Sequence, residues 1–272
     1  MSQNKSLLRL RGIAKIFSKG TIDEVTALDN IKLDVNAEDY ITIIGSNGAG
    51  KTTLLNVIGG VFPPERGGKV IISGNDITGF SEYKHAVYVG RVYQDPHIGT
   101  AARMTVEENL AMAVLRGQPR GLRPATNKQR RELFRSALAP LGLGLEDRLN
   151  AQVGTLSSGQ RQAVALVMAT ISKPALLLLD EHTANLDPRT AQLVLDLTEI
   201  IVQREKMTTI MVTHNMELAL RYGNRLIMMH EGKIVVDLNQ KQRAGLTIDD
   251  LIAAFEQASG RRFIEDNILL RR

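Results

Sequence analysis

The sequence contains no cysteine and no tryptophan. Without thiols there is no disulfide framework, no zinc–thiolate site and no cysteine nucleophile, and a reducing compartment suits such a chain. Aromatics are scarce, six Phe and five Tyr in 272 residues, so a base-stacking platform for single strands has little material. Long apolar runs are also missing: the longest, AVALVMA from Ala163 to Ala169, has seven residues, whereas a membrane span needs about 20. The N-terminal MSQNKSLLRLRG lacks the apolar core of a secretory signal, which predicts a chain that stays in the cytoplasm. Charge of one sign is not abundant either, since 34 Lys plus Arg against 29 Asp plus Glu leave +5. One cluster stands out: Arg116, Arg120, Arg123, Lys128, Arg130, Arg131 and Arg135 face a single acid, Glu132. Such a run is usually a solvated helix face; the other reading is a patch for phosphates, nucleic acid or an anionic membrane.

What is present reads as a globular α/β chain, 43% hydrophobic and 23% charged, a composition that excludes disorder and fibrous architectures. The first forty residues alternate apolar and polar in LLRLRGIAKIF and IKLDV, the pattern of half-buried strands. GGKVIISGNDI adds a strand and a turn. Residues 40–44 form an apolar strand that runs into a glycine-rich stretch, and ALLLL (175–179), TTIMVT (208–213), RLIMM and KIVV are nearly continuous apolar strands of the kind buried on both faces. Helical spacing appears in RTAQLVLDLTEIIVQREK, where Leu193, Val194, Leu197, Ile200 and Ile201 share one face and Pro188 stands just inside the start. Strand–helix–strand alternation predicts a core with a mostly parallel sheet. Residues from about 97 to 170 are helix-rich and broken by RGQPRGLRPATN, which predicts an inserted helical subdomain.

Two segments carry chemistry by themselves. Gly45, Ser46, Asn47, Gly48, Ala49, Gly50, Lys51 and Thr52, followed by Thr53, fit G-x-x-x-x-G-K-[ST] between a strand and a helix. Glycines let successive N–H groups point at phosphate oxygens, and the following helix adds its positive dipole end. Lys51 reaches for the β- and γ-phosphates, and the Thr52 hydroxyl is placed to ligate Mg²⁺. That pattern in that context predicts nucleoside triphosphate binding. Further on, LLLLDE ends a buried strand in adjacent carboxylates, where ligands gather on a parallel sheet. Asp180 is the candidate metal ligand and Glu181 the candidate base for the attacking water. A third segment, LSSGQRQ, starts an apolar helix, and Ser157 with Gly159 offers a hydroxyl and N–H groups as a second phosphate-binding end.

The phosphate loop, the LSSGQ helix and the LLLLDE strand, in that order, resemble the ABC ATPases, the nucleotide-binding subunits of ABC transporters, from about Leu7 to Glu256. The resemblance implies a P-loop NTPase core with a mostly parallel sheet, an N-terminal antiparallel β subdomain and an inserted helical subdomain. Expected boundaries are 1–95 for the β subdomain and start of the core, 96–170 for the helical subdomain, 171–244 for the rest of the core and 245–272 for a helical tail. It also implies roles for further residues: Gln94 as a contact to Mg²⁺ and water, His214 as the γ-phosphate switch histidine, Asp187 in the loop that crosses to a partner subunit, and Phe17 as the aromatic stacked on adenine. Ser157, Ser158, Gly159 and Gln160 form the signature segment, with Ser158 where the family usually has glycine. His182 stands where the family commonly has proline, and it receives no role.

By the same resemblance the cofactors are ATP and Mg²⁺, and the working unit is a head-to-tail dimer with a second copy of the chain. The short segment 95–155 between Gln94 and the signature leaves no room for a long coiled coil, and no span is fused to the chain. Both features resemble an importer ATPase held peripherally at the cytoplasmic face of the membrane, docked through Gln94, Met104, Val106 and Leu110 onto integral permease subunits. An extracytoplasmic solute-binding protein is the further expected partner, the solute is expected to be small and polar, possibly an amino acid, and direct nucleic-acid contact is not expected. The rival reading is an ABC-type ATPase of a nucleic-acid or other soluble complex.

Overall fold

The computed structural model describes residues 6–118 and 124–260. Its strands are β1 (Ser6–Phe17), β2 (Val25–Asn36), β3 (Tyr40–Gly45), β4 (Lys69–Ile72), β5 (Asn75–Asp76), β6 (Val89–Val92), β7 (Leu176–Asp180), β8 (Thr208–Val212), β9 (Arg225–His230) and β10 (Lys233–Leu238). Its α-helices are α1 (Lys51–Ile58), α2 (Glu82–His85), α3 (Pro96–Gly99), α4 (Val106–Val114), α5 (Lys128–Leu138), α6 (Ser158–Thr170), α7 (Pro188–Arg204), α8 (Met216–Arg221), α9 (Gln240–Arg243) and α10 (Ile248–Ser259). Among the described residues they fall into two compact units, one built from residues 6–81 and 208–260, the other from residues 82–118 and 124–207.

The first unit holds two sheets. One is antiparallel, in the order β2-β1-β4-β5, and its alternating pattern buries Leu8, Leu10 and Ile13 of β1 with Leu28, Ile31, Leu33 and Val35 of β2. The other has β3 parallel to both β8 and β9, with β10 closing the edge antiparallel to β9. Ile41, Ile43 and Ile44 of β3, Ile210 and Val212 of β8 and Ile227 to Met229 of β9 are all buried, as expected for strands covered on both faces. The amphipathic α10 follows a Thr247–Asp250 capping box and buries Leu251 and Phe255 against Ala219, Leu226 and Met228. The 261–272 part of the expected tail lies outside the described residues.

The second unit pairs β6 parallel to β7, with Val89 opposite Leu176 and Val92 opposite Leu179. The apolar α6 packs on β6 and on α3, α4, α5 and α7. Helix α4 begins with a Thr105–Glu108 capping box, and α5 is tied to α4 by Arg131, whose guanidinium donates two hydrogen bonds to Glu107. On α7 the buried set is Val194, Leu195, Leu197, Ile201 and Val202, together with Thr198. Leu193 and Ile200, expected on that face, are exposed at 39% and 50%. The stripe is rotated because Thr198, silent in a hydrophobicity pattern, takes a core position.

The β6 strand was not apparent in the sequence. It is four residues long and interrupted by Gly90 and Arg91. Gly90 is a packing requirement: a Cβ there would lie 2.1 Å from the Ala169 carbonyl oxygen on α6 and 2.9 Å from Pro174. Gly90→Ala therefore has to push β6 and α6 apart and should lower stability by about 1–3 kcal/mol in urea unfolding, whereas Gly79→Ala, with nothing within 4 Å, should leave the midpoint nearly unchanged.

Candidate functional site

In the first unit, β3 delivers the chain to the phosphate loop and α1 receives it. Gly50 precedes α1 with φ +93°, and a Cβ there would lie 2.3 Å from the Ala27 carbonyl oxygen. Only glycine meets both conditions without displacing β2. Gly45 approaches the Met229 carbonyl just as closely, and Ala49 donates its amide to the Ser46 carbonyl while its own carbonyl accepts from Gly232. The loop is thus wedged between β2 and the β9–β10 turn.

Lys51 is 7% exposed and its ammonium donates to the carbonyls of Gly45 at 2.8 Å and Ser46 at 3.1 Å. The ammonium is thus folded back over the loop. Asn47, Gly48 and Thr52 are exposed, and Thr53 is half-buried. His214 lies two residues beyond β8. Because β8 runs parallel to β3, with Ile43 opposite Val212 and Thr213 donating to the Ile43 carbonyl, the phosphate loop and His214 share one carboxyl edge. Phe17 closes β1 and makes an edge-to-face contact with Phe62, ring centroids 5.4 Å apart, with the Lys15 ammonium 5.6 Å from its own centroid. Its ring is half-buried, with Phe62 and Lys15 as neighbours that sequence reading did not supply.

The second unit carries the carboxylates and the signature segment. Asp180 ends β7 at 6% exposure, with Glu181 half-buried beside it. Arg91, across on β6, donates to Asp180 Oδ2 at 2.8 Å, both side chains 9% exposed, and its guanidinium lies 4.6 Å from the Tyr93 ring centroid. Sequence reading missed Arg91, because nothing local marks a strand arginine as the partner of an acid 89 residues away. Removing a guanidinium from such a pair costs about 3–5 kcal/mol. Gln94 stands two residues past β6, exposed, at the same carboxyl edge as Asp180.

The signature segment starts α6. Ser157 is its N-cap: its hydroxyl oxygen accepts from the Gln160 amide and the Gln160 side chain accepts from the Ser157 amide. Ser158 is the first helical residue, with no positive φ, so serine in place of glycine carries no backbone strain. Ser157 and Ser158 are exposed while Gly159 is buried. Asp187 caps α7 and accepts from the Thr190 amide at 3.1 Å; its hydrogen bonds to Thr190 hold the carboxyl below the usual range.

Among the described residues no cluster of three or more His, Cys, Asp or Glu side chains is arranged for a metal. Mg²⁺ binds through one or two carboxylates plus phosphate oxygens and water; within the second unit, Asp180 and Gln94 stand at the carboxyl edge of β7 and β6.

Two surface expectations change. Val106 and Leu110 are fully buried on α4, which packs on both α6 and α5, so they do not belong to a docking surface. The exposed apolar side chains of this unit include Tyr83, Val87, Ile98 and Met112. The basic stretch is also largely engaged: Arg131 pairs with Glu107, Arg135 with Glu132, and Arg130 donates to the carbonyls of Pro124 and Ala125. Burial pushes Arg116 below the ordinary guanidinium range. Arg120 and Arg123 lie outside the described residues.

Residues 28–184 match the sequence profile of the ABC transporter family. The tyrosine transport ATP-binding protein of Clostridioides difficile is 40% identical over 252 residues, 93% of this chain and all of that protein. The lipoprotein-releasing system ATP-binding protein LolD of Chromohalobacter salexigens is 34% identical over 87% of this chain and 96% of its own length. Among solved structures, the dimeric post-hydrolysis state of the ATP-binding cassette MJ0796, bound to ADP and phosphate, superposes with a TM-score of 0.73 at 25% identity, over 86% of this chain and 98% of that one. With its phosphate loop, its carboxylate-tipped strand and its serine-capped signature helix, the chain belongs to the ABC transporter family as an ATP-binding, ATP-hydrolysing cassette.

Proposed function

We propose that this cassette powers import of a small polar solute, an amino acid in the first instance, through separate permease subunits at the cytoplasmic face of the membrane. The observation that carries the reading is the 40% identity, across its whole length, to a tyrosine transport ATP-binding protein. No helix among the described residues is long and apolar enough to cross a membrane. An extracytoplasmic binding protein would deliver the solute. The boundaries 1–95, 96–170, 171–244 and 245–272 are proposed as its functional segments.

The proposed division of labour follows the chemistry of the side chains. Amides of Ser46 to Thr52, at the dipole end of α1, bind the phosphates, and Lys51 exchanges its two loop carbonyls for β- and γ-phosphate oxygens. Phe17 stacks on the base. Thr52, Asp180 and Gln94 hold Mg²⁺, which when bound supplies neutralising charge to the phosphates. Glu181 takes the proton of the attacking water and His214 contacts the γ-phosphate. Ser157, Ser158, Gly159 and Gln160 present an exposed helix start to the γ-phosphate held by a second copy of the chain, and Asp187 reaches that copy as well. A triphosphate carries about four negative charges, and enclosing them calls for donors from both sides.

The full chain with ATP and Mg²⁺ should release inorganic phosphate, and Lys51→Ala should lower that rate by about 100-fold or more in a phosphate-release assay, since it deletes the main cation at the developing charge. Purified from membranes, the chain should bring down an integral permease, and cells lacking it should lose uptake of labelled tyrosine. Salt-dependent duplex binding by the chain without any membrane partner would instead support the rival reading as a nucleic-acid ATPase.

A further inference from the structure

His182 follows the proposed base, and its side chain is buried at 2% exposure. Its Nε2 lies 3.1 Å from the Thr198 hydroxyl on α7. That hydroxyl has one proton, which it donates to the Val194 carbonyl at 2.7 Å, so towards His182 it is an acceptor. The hydrogen-bond network therefore assigns the Nε2–H tautomer to a neutral ring.

Glu181 itself is strained. Its φ is +44°, a left-handed conformation that a carboxylate side chain adopts at a cost unless its surroundings fix it. Its carbonyl accepts from the Ala184 amide at 2.9 Å, which turns the chain, and the neighbouring His182 ring reaches the middle of a 17-residue helix.

We infer that the His182–Thr198 hydrogen bond makes His182 a positioning residue for Glu181, holding the strained backbone of the base in register with α7. The inference rests on Glu181 being the base. The same helix holds two other proposed site elements. Asp187 is its N-cap, and Thr190 in its first turn packs so tightly on Gly159 that a Cβ there would lie 2.3 Å from Thr190 Cγ2. The base, the crossing loop and the signature helix are thus referenced to one rigid rod.

The test uses the full chain and three readouts: steady-state phosphate release, equilibrium binding of a trinitrophenyl-ATP probe, and the melting temperature. Thr198→Val keeps the shape and removes the acceptor. It should lower kcat roughly tenfold, the scale of a small misplacement of a catalytic group, while probe affinity stays within about twofold. Thr198→Ser restores the acceptor and should recover most of kcat. If Thr198→Val does not fold, His182→Gln, whose amide donates at a similar reach, compared with His182→Met makes the same test, with only the Gln variant retaining activity. Wild-type kcat in Thr198→Val with a lowered melting temperature would show a bond that serves folding alone and would overturn the inference, as would parallel losses of probe affinity and kcat. Wild-type turnover in Glu181→Gln would remove the base reading itself, and the inference with it.

Discussion

A triphosphate brings dense negative charge, and the loop that receives it has to place main-chain N–H donors around that charge with no side chain in the way. The rest of the first unit serves this constraint. Gly50, at φ +93° and with an added Cβ falling 2.3 Å from the Ala27 carbonyl oxygen, has no substitute, and the Gly232 amide, donated to the Ala49 carbonyl, fastens the loop to the β9–β10 turn. Lys51, held on the Gly45 and Ser46 carbonyls, keeps a buried cation beside the loop in a position it can leave. Such preorganisation matters because donors already aimed at developing charge need no rearrangement when the reaction occurs.

The second unit solves a different problem, the placement of carboxylates. Asp180 is buried and answered by Arg91 from the neighbouring strand, so its charge is compensated where an isolated ion would be expelled or neutralised. Glu181 sits in a backbone conformation that needs outside support, and α7 supplies a tether through Thr198. Arg91 also lies over Tyr93, whose carbonyl accepts from Gln162 on α6, so the segment leading to Gln94 is joined to the signature helix by adjacent contacts.

The amino-acid sequence made much of this legible, and the exceptions have physical reasons. Apolar runs made β3, β7, β8 and β9 legible, because strands buried on both faces have few alternatives; KIVV was legible as a strand too, but β10 is an edge strand that is only half-buried. The phosphate loop and LLLLDE were readable because their chemistry requires fixed residue types at fixed spacing. The short β6 escaped because its Gly90 is set by a contact with α6, and Arg91 escaped because its partner is distant in sequence. Val106 and Leu110 read as surface in the sequence, yet both are fully buried in the packing of α4. His182 received no role from its spacing, since its value comes from Thr198, a residue that looks like a polar interruption in an apolar stripe. Ser158 looked like a departure from a glycine requirement, yet a helical φ accepts serine there.

The claim on which transport would rest is that one chain carries two complementary halves of an ATP site, to be completed by a second copy. Light scattering on Glu181→Gln measures this most directly, because blocking proton removal from water should hold the nucleotide intact between the halves. A composite site predicts a monomer without nucleotide or with ADP and a species of twice the mass with ATP. A Glu181→Gln chain that binds ATP and stays a monomer at every concentration would contradict it.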